Sequence, residues 1–124
     1  MSEPLADERY VSLATFRRDG REVRTPVWIA GANGLLYVYT NAKSGKVKRV
    51  RATKRVRLAA CDMRGKVRGD WIDGTSRMLD DPDERERGFA PLLRKYALQL
   101  RFGLLISRFS GRYADRAIIE IRLT

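Results

Sequence analysis

The stretch Tyr39–Ala52, with the sequence YTNAKSGKVKRVRA, decides how the rest of the chain is interpreted. Its pattern predicts the end of a strand, a short polar turn and a helix that begins near Gly45. Ser44 is a suitable N-cap residue, because its hydroxyl can accept a hydrogen bond from an amide of the first helical turn. The segment therefore indicates a step from strand to helix near the middle of the chain.

Basic residues crowd the start of this helix. Lys46, Lys48 and Arg49 follow the N-cap directly, where a helix already carries about half a positive charge. Cations there are disfavoured by up to ~1 kcal/mol each, and a bound anion would remove the conflict. The segment 44–49, including Gly45, therefore predicts a phosphate site. A solvated basic helix face is the alternative interpretation.

Length and composition predict one soluble domain. The chain has 124 residues, of which 44% are hydrophobic, and this is enough for a single modest core. We expect a domain over residues 1–124 with a flexible lead-in over residues 1–8. No apolar run approaches the ~20 residues of a membrane span, so no stable membrane insertion is expected. The acidic N-terminus is unlike a signal peptide, and the single cysteine, Cys61, suits the cytoplasm.

Histidine is absent from the sequence. Its absence excludes histidine acid–base chemistry, Ser–His and Cys–His nucleophiles and histidine metal ligands. We expect no metal site and identify no catalytic residue. Any enzymatic chemistry would depend on a cofactor. Cys61 is expected to be a small buried hydrophobic residue in a strand.

The charge balance predicts an anionic partner. The 26 Lys and Arg outnumber the 15 Asp and Glu, which gives a formal net charge of +11. The partner classes are a nucleic acid, a phosphorylated cofactor or an acidic membrane surface. The sequence contains no helix-turn-helix or RNP motif, so we expect no nucleic-acid partner.

Apolar alternation and turn signals predict a sheet of six strands with helical insertions. A proline in the second strand, Pro26, indicates a sheet edge or a bulge. Kinks or bulges are expected at Gly69 and Gly74, and Gly88 and Pro91 are expected to interrupt the second helix. The stretch 102–109 is apolar enough to be helical or to cover a partner. The order favours a small antiparallel barrel, mainly β with helices, with strands at 10–17, 22–30, 35–40, 55–63, 67–79 and 117–123 and helices at 45–52 and from 82.

Three segments in this order carry a family resemblance. They are TPVW over Thr25–Trp28, LYVYTNAKSGKVKRV over Leu36–Val50 and RVRLAACD over Arg55–Asp62. Together they resemble the split-barrel flavin and deazaflavin proteins related to pyridoxamine 5′-phosphate oxidase, and within them the branch of coenzyme F420-dependent enzymes. The resemblance covers residues 9–123. It implies a six-stranded antiparallel split β-barrel that forms a homodimer with the cofactor at the subunit interface.

The resemblance also implies where the cofactor lies. Its phosphate would lie on basic residues at the helix after the third strand, and its ring system along the backbone of the second strand. Trp71 could reach a cofactor across the dimer interface, or it could pack in the core. The candidate cofactor-binding residues are Thr25, Pro26, Val27, Trp28, Ser44, Gly45, Lys46, Lys48, Arg49 and Trp71.

Departures from the family pattern narrow the expected activity. The oxidase has an arginine in its S-R-K motif where Gly45 stands here, and it uses a histidine that this chain lacks. Both differences argue against vitamin B6 oxidation. The additional basic residues favour coenzyme F420, with FMN as the alternative. The implied function is an F420-dependent oxidoreductase that moves a hydride between the deazaflavin and an unidentified small-molecule substrate. The alternative is a non-catalytic F420 or FMN carrier.

Overall fold

A single curled antiparallel sheet dominates the structure. A computed structural model describes residues 4–97 and 116–124. The strand order is β2-β1-β5-β6-β7-β4-β3, and every pairing is antiparallel. The strands are β1 (Tyr10–Phe16), β2 (Glu22–Val27), β3 (Ile29–Ala32), β4 (Leu35–Asn41), β5 (Arg55–Cys61), β6 (Ile72–Met78) and β7 (Arg116–Leu123), and the helices are α1 (Gly45–Ala52) and α2 (Pro82–Lys95).

The two edge strands of this sheet are consecutive in sequence. β2 pairs with β1, β3 pairs with β4, and only Trp28 separates β2 from β3. One stretch of chain therefore joins the two ends of the sheet, which makes it a split barrel. The predicted fold class, mainly β with helices in an antiparallel split barrel, is confirmed, with seven strands instead of six. The extra strand arises because the predicted strand 22–30 is interrupted at Trp28.

Side chains from α2 cause this interruption. The backbone amide of Ile29 donates to the Tyr96 hydroxyl at 3.1 Å, and its carbonyl accepts from Lys95 Nζ at 2.7 Å. The hydrogen-bonding needs of the Ile29 amide and carbonyl are thus met by Tyr96 and Lys95, so the chain can stop pairing with β1 and begin to pair with β4 at this residue. Pro26 lies three residues before Ile29, on the outermost strand opposite Ser12. The predicted edge position of Pro26 is confirmed.

The strand predicted over 67–79 is shorter in the structure. It begins at Ile72, and Val67 contributes only an isolated bridge to Cys61. Gly69 therefore lies outside β6. A bulge at Gly74 is wrong, because Gly74 pairs in register with β5 on one side and β7 on the other, and a kink there stays a prediction.

Helix α2 is continuous, so the predicted interruptions at Gly88 and Pro91 are wrong. The helix begins as predicted, with the Asp81 carboxylate accepting from the Glu84 amide at 3.1 Å. Its buried face, which includes Gly88 and Phe89, packs on the sheet. Burial of this face outweighs the hydrogen bond that a proline removes from a helix.

Two hydrophobic clusters lie on opposite sides of the sheet. One fills the barrel and includes Leu13, Leu58 and Ile121, and the other packs α2 against β3, β4 and β7. Leu5 belongs to the barrel cluster and is 5% exposed, within a short 3₁₀ turn over Pro4–Asp7. The expected lead-in thus takes part in the core from residue 4 onward. The single domain over residues 1–124 stays a prediction, and the apolar stretch 102–109 lies outside the residues that the structure describes.

Candidate functional site

The start of α1 follows the predicted strand-to-helix step. Ser44 has the extended backbone of an N-cap, with φ −71° and ψ 156°. Its hydroxyl does not cap the helix, because it lies 3.3 Å from the Thr40 hydroxyl instead. The predicted side-chain cap is therefore wrong. The first turn contains no acidic residue, so its unpaired amides remain available to an external acceptor.

The side chain of Arg49 folds back over this first turn. Its Nε donates to the hydroxyl of Thr15, a fully buried residue of β1, at 2.6 Å. A Cβ atom added to Gly45 would lie only 2.6 Å from Arg49 Nη1. Glycine at this position therefore leaves room for the guanidinium directly above the helix start.

Like charges cluster at this point. Burial, and then the Arg49 charge, lowers the pKa of Lys46. Burial, and then the Arg17 charge, lowers the pKa of Arg49. Arg49, whose side chain lies over the positive end of the helix, thus repels Lys46 and is itself repelled by Arg17. A bound anion would offset both the repulsion and the helix dipole, so these residues fit a phosphate.

Lys48 lies on the exposed side of α1, toward the hairpin between β1 and β2. It lines an open cavity of about 310 Å³ with Phe16, Arg17, Arg18, Arg49 and Ala52. Arg55 also lies over the Phe16 ring, at 4.4 Å from its centroid. The basic region therefore extends from the helix start along the β1–β2 hairpin.

Strand β2 carries three further predicted site residues. Thr25 and Val27 face the same side of the strand, and Pro26 faces the other. The Thr25 hydroxyl oxygen is buried and has no hydrogen-bond partner among the residues described. A buried unpaired hydroxyl is costly, and a ligand acceptor or donor would satisfy it.

Trp28, at the junction of β2 and β3, stacks on Tyr96. The two ring centroids are 4.8 Å apart and the ring planes differ by 8°. Trp71 lies just before β6 with the Arg24 and Arg57 guanidiniums near its ring, at 4.6 and 5.1 Å from the centroid. Both indoles are thus held by residues of the same chain.

The predicted site residues form two main groups. One lies at the start of α1, which is attached to β1 through Arg49, and the other lies on the neighbouring strand β2. Thr15, which holds Arg49, lies opposite Val23 in β2, two residues before Thr25. The group at α1 and the group on β2 are therefore one strand apart. No hydrogen bond or ion pair between described side chains joins the two groups directly.

Sequence reasoning missed three residues at this site. Thr15 anchors Arg49, and Lys95 and Tyr96 hold the β2–β3 junction. Tyr96 follows the apolar residues Leu92 and Leu93 at helical spacing, a pattern that gives no sign of its hydroxyl contacts. Nothing local in the sequence distinguishes Lys95 from the other surface lysines.

Residues 4–97 and 116–124 contain no group of three or more Cys, Asp or Glu side chains that could hold a metal ion. Within the same ranges, neither helix has the length and apolar composition needed to cross a membrane.

Several solved structures share the fold. An F420 reductase is 24% identical, with a TM-score of 0.59, and the match covers 100% of this chain and 96% of that one. A FAD-binding protein from Mesorhizobium loti is 20% identical, with a TM-score of 0.60 and coverage of 96% and 82%. HutZ, a heme storage protein from Vibrio cholerae, is 13% identical, with a TM-score of 0.67 and coverage of 95% and 83%.

Sequence comparison supplies the family. No curated protein matches the chain. A family model described as pyridoxamine 5′-phosphate oxidase matches residues 1–124, which is the whole sequence. With the split barrel described above, this match shows that the chain belongs to the pyridoxamine 5′-phosphate oxidase family.

Proposed function

We propose that this protein binds a flavin-type cofactor, coenzyme F420 in particular, and acts as an oxidoreductase on a small-molecule substrate. The observation that carries the proposal is the Arg49 guanidinium, which is held by Thr15 over the start of α1 beside Lys46 and which lines one cavity with Arg17. These cations supply the charge that a cofactor phosphate requires.

Each predicted residue has a role in the proposed complex. Lys46 and Arg49 contact the phosphate together with the first amides of α1, and Gly45 leaves the space above them. Ser44 and Lys48 flank this contact. On β2, the backbone of Thr25–Val27 lies along the ring system, and the Thr25 hydroxyl is available to a polar group of the ring. Trp28 and Trp71 lie at the ends of the β2 surface along which we propose that the ring system binds.

The bound deazaflavin supplies the hydride chemistry, and the protein binds it, orients it and excludes water. No histidine is present to act as an acid or base, so we assign no catalytic residue. The similarity to an F420 reductase and the excess of basic residues favour F420 over FMN. A heme role like that of HutZ has less support, because the chain lacks the commonest proximal heme ligand.

The proposal includes the biological setting. We place the protein in the cytoplasm as a homodimer, without nucleic-acid partners and without stable membrane insertion. A non-catalytic carrier of F420 or FMN is the second candidate. It is favoured because the sequence, which contains no histidine, offers no clear proton donor for catalysis beyond its tyrosines.

The test is a side-by-side titration of the protein with F420 and with FMN, followed by turnover with reduced F420. We expect saturable F420 binding that is tighter than FMN binding, and oxidation of reduced F420 only when an acceptor is present. Tighter binding of FMN than of F420 would identify FMN as the cofactor. Binding of F420 without oxidation across an acceptor panel would support the carrier.

A further inference from the structure

The end of α2 is joined to two distant segments through Lys95. Its Nζ donates to the carbonyls of Ala6 at 2.6 Å, Ile29 at 2.7 Å and Glu8. An ammonium group has three protons to donate, and here three backbone carbonyls receive them. Lys95 thus connects the N-terminal turn, the start of β3 and the last turn of α2.

Tyr96 makes the second connection at the same junction. Its hydroxyl accepts from the Ile29 amide at 3.1 Å and lies within donating distance of the Arg9 carbonyl at 2.7 Å and the Ile29 carbonyl at 3.0 Å. The tyrosine is only 2% exposed. One face of its ring stacks on Trp28, and Lys95 Nζ lies 5.1 Å from the ring centroid.

These contacts converge on the backbone that follows β2. Ile29 has both of its backbone polar groups bonded to α2 side chains, and Trp28 is held by stacking. The preceding residues, Thr25–Val27, form the strand on which we have placed the cofactor ring. A shift of the junction would therefore move that strand, which has a pairing partner on one side only.

We propose that Lys95 and Tyr96 are positioning residues that set the Trp28 indole and the β2 backbone in the geometry required by the bound cofactor. This inference rests on the proposed function and extends it to two residues without a contact to the cofactor. It also identifies a seat, formed by the carbonyls of Ala6, Glu8 and Ile29, that accepts all three protons of an ammonium group.

The first test examines Trp28 without any ligand. Protein labelled with 5-fluorotryptophan gives one fluorine resonance for each of its two tryptophans, and Trp28→Phe identifies which signal belongs to Trp28. Tyr96→Phe keeps the stacked ring and removes the hydroxyl. We expect this variant to shift or broaden the Trp28 resonance and to leave the Trp71 resonance in place, as an internal control for folding.

The second test examines the seat by chemical rescue. Lys95→Ala empties the seat, and ethylammonium added in solution can occupy it. We expect the Trp28 resonance to be displaced in the variant and to return toward the wild-type position with ethylammonium, but not with tetraethylammonium, which has no proton to donate. Arg94→Gln removes a neighbouring charge outside the seat and should leave the resonance unchanged.

The third test asks whether the position of Trp28 affects the affinity for the cofactor. For a protein that binds F420 or FMN, we expect Tyr96→Phe to weaken binding about tenfold and ethylammonium to restore the affinity of Lys95→Ala. Unchanged Trp28 resonances in both variants, or displaced resonances with wild-type affinity, would overturn the inference. If wild-type protein binds neither cofactor, the proposed function and the affinity claim both fail, and the fluorine spectra alone decide whether Lys95 and Tyr96 fix Trp28.

Discussion

At the scale of single residues, the site combines a cation that is held by a hydrogen bond with a cation that has no such bond among the described residues. Arg49 is anchored through Nε on Thr15, while the rest of its guanidinium remains above the first turn of α1. Lys46 has no such anchor among the residues that the structure describes, and its pKa is lowered by burial and by the Arg49 charge. The charged form of Lys46 is therefore disfavoured in the protein without a ligand, and a bound anion would offset this cost.

Replacing Lys46 should weaken cofactor binding without lowering the stability of the protein that has no cofactor bound. We expect Lys46→Ala to weaken cofactor binding by about 1.5–3 kcal/mol, or roughly one to two decades in Kd, because a charge-assisted contact is lost. We expect the melting temperature without cofactor to stay level or rise at pH 7. Titration and thermal unfolding on the same samples measure both effects.

The pH dependence of this effect has a defined sign. In the folded state the pKa of Lys46 lies below the ordinary value of 10.5, so the charged form is disfavoured by folding. The cost is present at neutral pH and disappears as the pH rises past that ordinary value. The stability gain of Lys46→Ala should therefore shrink toward alkaline pH. Lys66→Ala, which removes a charge from an exposed turn, is the control, and equal effects of the two variants on binding would contradict a specific phosphate contact.

The unpaired hydroxyl of Thr25 provides a second test at this scale. Thr25→Val keeps the shape of the side chain and removes the buried oxygen, so we expect the apo protein to gain up to about 1 kcal/mol of stability. We expect weaker cofactor binding, because the ligand loses a hydrogen bond. Thr75→Val on the exposed face of β6 is the control. A loss of stability together with wild-type affinity would mean that the hydroxyl has a structural partner in the apo protein.

At the scale of elements, α2 depends on close contact with the sheet. A Cβ atom on Gly88 would lie 2.7 Å from Leu79 Cδ1, 3.0 Å from Tyr37 Cδ1 and 3.1 Å from Ile118 Cγ2. The absence of a side chain lets the helix approach β4 and β7, and the helix in turn carries Tyr96 to the β2–β3 junction.

A methyl group at this contact should reveal how tightly α2 packs. Alanine is favoured over glycine in a helix by about 1 kcal/mol, but overpacking costs about 1–3 kcal/mol. We expect Gly88→Ala to lower the free energy of unfolding by about 1 kcal/mol, measured by urea denaturation. Arg87→Ala, at an exposed position of the same helix, should have little effect. A stabilised Gly88→Ala variant would show that the contact is loose.

Local sequence patterns predicted the presence of the strands and helices better than the residues at which they begin and end. Turn signals and alternation located the six predicted strands, of which 22–30 is two strands in the structure, and the Asp81 cap located the start of α2. The split at Trp28 and the continuity of α2 through Pro91 could not be predicted in this way. Both depend on contacts between residues that are far apart in sequence, such as Ile29 and Tyr96. For the same reason the basic segment at α1 was recognisable, whereas its anchor on Thr15 was not.

At the scale of the whole molecule, the open edge of β2 has an apolar neighbour. The turn at Gly65 lies against Pro26, with the added Cβ position 3.6 Å from Pro26 Cδ. Met63 in this turn is 67% exposed. An open strand edge beside an exposed methionine is where we expect a second subunit to bind.

This expectation can be tested by oligomeric state. Sedimentation equilibrium should give twice the chain mass of 14.2 kDa for the wild type, and Met63→Glu should shift the protein toward monomer. Arg64→Gln changes the charge by the same amount one residue away and should leave the dimer intact. A wild type that sediments as a monomer at micromolar concentration would refute the homodimer, and a dimer unaffected by Met63→Glu would place the interface elsewhere.

The seat of Lys95 also bears on how the protein is made. The carbonyls of Ala6 and Glu8 are 89 and 87 residues away from the lysine that binds them. The N-terminal turn is therefore translated long before the lysine that holds it. Lys95 can fix this turn only after translation has passed the end of α2. Closure of the barrel comes later still, because β7, which pairs with both β6 and β4, follows Lys95 in the sequence.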